Sequence, residues 1–190
     1  MKFKISLQVM TVALGLGLLP GAASLSTAYA QSSDAAASGA PVSGTIAPAD
    51  QQFVQEASKA DATEIAASRV ALKNSSDPKV KKFAQQMIVD HTKLSRGMAT
   101  LAAKKGLTTT PAADSALVGK LQTLKGHEFD QAYVEQVGLE AHQQAVDLFQ
   151  QESQSGSDPQ LKAAAAHALP TIKHHLMMAQ QLAGSMKASS

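Results

Sequence analysis

Two Asp-Pro pairs, Asp77-Pro78 and Asp158-Pro159, each open a long run in which apolar residues recur at alternating steps of four and three. An aspartate that can cap a helix, followed by proline at the first helical position, is a strong start signal, because proline has no amide hydrogen to leave unpaired there. After Asp77 the stripe is Val80, Ala84, Met87, His91, Leu94, Met98 and Leu101; after Asp158 it is Leu161, Ala165, Ala168, Ile172, His175, Ala179 and Leu182. Such spacing holds one helix face against neighbouring helices. Setting Asp77 on Asp158 also aligns Val80 with Leu161, Ala84 with Ala165 and Leu101 with Leu182, a faint internal repeat. Two related hairpins are thereby predicted, and with them an all-α, antiparallel four-helix bundle.

The remaining punctuation agrees. A first helix is expected from about Asp50 to Lys73, and the second closes at Lys104-Lys105-Gly106, with basic residues in the last turn and a glycine beyond it. A short extra helix, about Asp114 to Leu124 and ending at Gly126, lies between the second and third long helices. The third runs from about Glu128 to Ser153 and the fourth from Asp158 to about Ala183, where Pro170 predicts a kink. The bundle thus occupies residues 49–185, with 186–190 as a flexible tail.

Residues 1–30 read as a cleavable signal peptide: Lys2 and Lys4, an apolar run to Leu19, then Ala28-Tyr29-Ala30 as the cleavage site. Residues 31–48 are Ser, Ala, Gly and Pro with almost no large apolar group, the composition of a disordered tether. No later segment is long and apolar enough to span a bilayer, so a periplasmic or secreted protein is expected. Loss of Lys2 and Lys4 leaves fifteen basic residues against fifteen acidic ones. A neutral chain has no electrostatic basis for binding nucleic acid or anionic membrane. There is no cysteine, and no phosphate loop or nucleophile turn, so thiol, nucleotide and hydrolase chemistries have no support.

The polar residues within the apolar stripes are the informative ones. His91 and His175 fall in the stripes of the second and fourth helices. The first helix gives Phe53, Ala57, Ala60, Glu64, Ala67 and Ala71, with Glu64 in the middle. The third is undecided between the line Val134, Val137, Ala141, Leu148 and its neighbour Glu135, Gly138, His142, Ala145, Phe149, which puts His142 in the core or on its border. Burying four such groups unpaired would cost several kcal/mol, roughly 2–7 each, so they are expected to converge. Asp90 and His174 flank the central pair, and Asp90 is placed to hold an imidazole in one tautomer. His127 and His167 are read as surface residues. Met87, Met98 and Met177 are read as packing, and His174 with Met178, four apart on one face, as a weak copper motif.

The set Phe53, Glu64, Asp77-Pro78, Phe83-Ala84, Asp90-His91, Phe129-Asp130, Tyr133, His142, Leu148-Phe149, Leu169-Pro170 and His174-His175-Leu176 resembles the bacterial ferritin-like family known as domain of unknown function 4142. The resemblance covers about residues 50–183. It implies an exported ferritin-like four-helix bundle, often labelled an outer-membrane protein, and it implies no activity. Di-iron members of the wider ferritin-like class carry Glu-x-x-His on two helices. The corresponding tetrapeptides here are Ile88-Val89-Asp90-His91 and Ile172-Lys173-His174-His175, without the glutamates. Di-iron oxidase chemistry is therefore not expected.

Two functions follow from the sequence. One is a non-enzymatic envelope or stress-related component, with an envelope protein as partner, whose Glu/His centre is a hydrogen-bond network fixing helix register. The other is a mononuclear site for one zinc, iron, nickel or copper ion held by Glu64, His91, His142 and His175.

Overall fold

The computed structural model describes residues 45–188. Its elements are α1 (Pro48–Asn74), α2 (Pro78–Lys104), α3 (Ser115–Thr123), α4 (Gly126–Tyr133), a π-helical segment (Val134–Glu140), α5 (Ala141–Ser155) and α6 (Pro159–Ala188). No strand occurs among the described residues. The capping aspartates act as their positions dictate. Asp77 Oδ1 accepts the Lys79 amide at 2.6 Å, and Asp158 Oδ1 accepts those of Gln160 and Leu161 at 2.9 and 3.0 Å.

α4, the π segment and α5 follow without a break and form the third long rod. α1 packs on α2 and α5 on α6; contacts of α2 with α6 and of α1 with α5 close the ring. α3 lies on α1, pinned by Asn74, whose amide donates to the Leu121, Gln122 and Leu124 carbonyls at 3.3, 3.3 and 2.9 Å. Asn74 also accepts from Lys125.

The third rod explains its own ambiguity. Its buried residues include Asp130, Val134, Gly138, His142 and Val146, at intervals of four. In an α-helix each four-residue step overshoots a full turn by about 40°, so this series would slide off the inner face. The π segment absorbs the overshoot, with Ala141 N–H donating to Gln136 O five residues back. Both candidate lines are therefore partly right: Val134 and Val137 face inward before the wide turns, His142, Ala145 and Phe149 after them. Gly138 is where the rod touches α6. A Cβ there would lie 2.8 Å from the Ala179 Cβ. Gly138→Ala is expected to cost about 1–3 kcal/mol by overpacking, read from urea unfolding.

Four expectations about boundaries change. Residues 45–48 are not tether, because Ile46 packs on the core and Pro48 already begins α1. Residues 186–188 are not tail, because Met186 packs on the core and α6 reaches Ala188. Gly126, with φ of 55°, opens α4 instead of ending the short helix. α6 is helical on both sides of Pro170, which is exposed. The expected signal peptide and residues 31–44 of the tether lie outside the described residues.

The apolar core is divided in two. One cluster contains Ala67, Ala71, Val80, Phe83, Met87, Tyr133, Val137 and Ala179; the other contains Phe53, Ala57, Met98, Ala102, Phe149, Leu161 and Ile172. On each long rod a polar residue falls between the two: Glu64, His91, His142 and His175. At one end of the bundle Glu152 is 5 % exposed, its Oε1 lacks a hydrogen bond, and no room remains above it for a side chain at Gly156. Burial, then the Asp50 and Asp158 charges, push its carboxyl up to about 7, with Lys162 opposing. A carboxyl raised in the folded state loses stability as pH climbs from its ordinary 4.5 toward that value. Solvent at the bundle end screens part of this, so Glu152→Gln is expected to stabilise by about 1 kcal/mol at pH 8 and little at pH 5, in paired denaturant titrations.

Candidate metal centre

The three histidine rings form a near-equilateral triangle, with centroids 5.5 Å apart for His91–His142, 5.1 Å for His91–His175 and 5.4 Å for His142–His175. All three are buried, as is Glu64. The four residues picked from the stripes therefore meet between the two apolar clusters, each brought there by a different long rod.

Each ring has one nitrogen committed to the protein. His91 Nδ1 lies 2.8 Å from Asp61 Oδ1 and 2.9 Å from Glu64 Oε2. His142 Nδ1 donates to the Val137 carbonyl oxygen at 2.9 Å, an acceptor supplied by the π segment. His175 Nε2 donates to Asp90 Oδ2 at 2.8 Å, and Gln86 Nε2 donates to the same oxygen at 2.7 Å. The tautomers follow, because carboxylates and carbonyls accept and cannot donate. The other nitrogens face one another. His91 Nε2 is 3.2 Å from His175 Nδ1, while His142 Nε2 is buried with no hydrogen-bond partner among the described residues.

Charge is unevenly divided. Burial disfavours a charged His91, yet the Glu64 charge and hydrogen bonds from both carboxylates outweigh it and raise its pKa to about 10. His175 is lowered to about 4 by burial, aided by the His91 charge and opposed by Asp90. His142 is also lowered, chiefly by burial. At neutral pH the centre thus holds one imidazolium and two neutral rings. His91 Nε2–H donates to His175 Nδ1, whereas His142 Nε2 offers a lone pair to nothing. Burial raises the Glu64 carboxyl, but the His91 charge and hydrogen bond prevail and its pKa falls. Burial raises Asp61, and here His91 does not fully offset it. Two carboxylates sharing one imidazolium divide in this way.

The expected set gains one member and loses one. Asp61 was not foreseen. The four-three count along α1 stepped from Ala57 to Ala60 to Glu64, but stepping from Ala57 to Asp61 to Glu64 is equally regular, and Asp61 is the buried residue while Ala60 is half-buried. Asp90 does hold an imidazole, that of His175. His174 is exposed, with its ring centroid 6.5 Å from that of His175, because the α6 residue before the inward-facing one points away. His127 and His167 are exposed. Met87 and Met98 are buried packing residues, but Met177 is 45 % exposed and packs no core, since it stands two residues past His175 on the outer face.

Two sets of side chains place one donor atom each within 4.8 Å of one another: His91, His142 and His175; and Asp61, Glu64 and His91. Metal–imidazole bonds of about 2.0–2.1 Å set tetrahedral ligand nitrogens about 3.4 Å apart. His91 Nε2 and His175 Nδ1 already meet that spacing, and the unpartnered His142 Nε2 supplies the third position. The residues present fit a transition ion.

The family model for a domain of unknown function, DUF4142, matches residues 32–182. The chain belongs to the DUF4142 family. Comparison with curated proteins gave no match. Among solved structures, a DUF305 fragment from Deinococcus radiodurans is similar at TM-score 0.66 and 18% identity, over 75% of this chain and 99% of that one. A DUF305 protein from Streptomyces coelicolor, described as secreted, gives 0.64 and 17%, over 73% and 92%. CopM in its Cu(I)-bound form gives 0.60 and 22%, over 70% and 93%. At these identities the DUF4142 chain shares a helical-bundle fold with them. No helix among its described residues is long and apolar enough to cross a membrane.

Proposed function

We propose that this chain is a non-enzymatic binding protein for a single transition-metal ion, held by His91, His142 and His175 with Glu64 and Asp61 beside them. One observation carries the reading. All three imidazoles have one nitrogen fixed by a protein acceptor and the other turned to a common point, where His142 Nε2 has no partner. Metal-ligating histidines are oriented in this way, because the outer hydrogen bond fixes the tautomer and raises the basicity of the ligand nitrogen. Three nitrogens with carboxylate nearby suit zinc, iron, nickel or copper. Copper gains some support from CopM, similar in fold and solved with Cu(I) and with Cu(II) bound. Ile88 and Ile172 stand where di-iron proteins carry glutamates, which argues against oxidase chemistry. A signal-like N-terminus together with a similar protein described as secreted favours an exported location.

A second reading is favoured by the unbroken chain of bonds from Asp61 through His91 and His175 to Asp90. Here the centre only fixes helix register. Metal analysis of tag-free protein, stripped with chelator and reloaded, decides between them. About one ion per chain, with a rise in melting temperature, is expected under simple linkage; less than about 0.1 ion and no rise leaves the register reading.

A further inference from the structure

His91, His142 and His175 are sealed inside the bundle, yet a cleft of about 370 Å³ reaches their outer partners. It is lined by Asp61, Asp90, Lys93, Gly97, Met98 and His167, among others. Asp61 and Asp90 are the carboxylates that hold His91 and His175. Asp61 also belongs to the second donor set, with Glu64 and His91, so His91 is common to both sets. The two sets thus lie in series from the cleft inward, the outer one rich in carboxylate and the inner one all imidazole.

Granting the metal reading above, we infer that this cleft is the entrance for the cation, and that Asp61 and Glu64 form with His91 an outer ligand set from which His91 passes the ion to His142 and His175. Carboxylates in a low-dielectric cleft concentrate cations at its inner end. Oxygen ligands also accept a still-hydrated ion more readily than a closed group of imidazoles does, while borderline transition ions favour the imidazoles once dehydrated. His91 can serve both sets because its two ring nitrogens face opposite ways, Nδ1 to the carboxylates and Nε2 to His175.

Gly97 gives a means of blocking the cleft. A Cβ there meets nothing within 4 Å, so Gly97→Phe adds bulk to the lining without a backbone clash. Gly184, equally open and not part of the lining, is the control. The probe is cobalt(II), followed by stopped-flow absorbance on loading and again on release to a chelator. For Gly97→Phe both rates are expected to fall together by about tenfold or more, while Gly184→Phe keeps them; Asp61→Asn should slow uptake by about tenfold and leave the final imidazole-dominated spectrum in place. Wild-type loading rates in Gly97→Phe, or in Asp61→Asn, overturn the entrance while leaving the metal centre standing. A wild-type protein that takes up no cobalt overturns both.

Discussion

Replacing His142 with leucine is expected to abolish ion binding while leaving the ion-free bundle as stable as before, or slightly more so. The two effects separate because of what each nitrogen does. Nδ1 makes one hydrogen bond to a backbone carbonyl, whereas Nε2 is buried and unpartnered, so its desolvation is uncompensated. Removing the ring forfeits about 1 kcal/mol of hydrogen bonding, recovers a desolvation cost of similar size, and substitutes a side chain of comparable volume. The bound state loses one of three nitrogens. Wild-type protein at about 100 times its dissociation constant gains ~2.7 kcal/mol from the ion; the variant should gain almost nothing. Melting curves with and without zinc at fixed concentration measure both effects. A variant that retains the full zinc-dependent rise places the ion elsewhere. Loading should also release about one proton per ion at neutral pH, since His91 Nε2 must give up its hydrogen to bind, and calorimetry in buffers of different ionisation enthalpy would detect it.

Glu64→Ala is expected to be the most damaging single change, at about 3–5 kcal/mol, because it leaves a buried imidazolium with Asp61 as its remaining close counter-charge. Wild-type stability should follow the same pair. His91 is raised from 6.5 to about 10 on folding, so its contribution is complete below 6.5 and is lost as pH rises toward 10. Glu64 is lowered from 4.5, so its contribution is present above 4.5 and is lost as pH falls through its folded value. This pair therefore favours a plateau between about 4.5 and 6.5, falling on both sides. Denaturant midpoints from pH 4 to 10 would trace it, and in Glu64→Ala the alkaline fall should be much shallower. A wild-type profile still rising from pH 7 to 9 would contradict the charged His91.

The fold was legible because helix punctuation and apolar spacing agree along this chain. The α6 stripe read from the sequence is the set of residues buried in that helix, and three imidazoles and Glu64 were found by asking which polar groups interrupt such stripes. Two matters resisted. Asp61 was hidden because a wide inner face on α1 admits either Ala60 or Asp61, and spacing alone favours the apolar choice. The π segment was hidden because no residue type encodes it, although its trace was visible as two competing lines on the third rod. The outer hydrogen bonds were only half visible: Asp90 is adjacent to His91 in sequence, yet its imidazole is that of His175 across the bundle.

The wide turns of the third rod have one more consequence. They behave as a single added residue that resets the phase of everything after it. Deleting one residue between Val134 and Glu140 should restore ordinary pitch and rotate His142 by about 100° relative to Tyr133. The rod would then satisfy the aromatic half of the core or the polar layer, but not both. The irregularity lets two recognition surfaces with different phases share one continuous helix, so insertions and deletions in this stretch should be far less tolerated than substitutions.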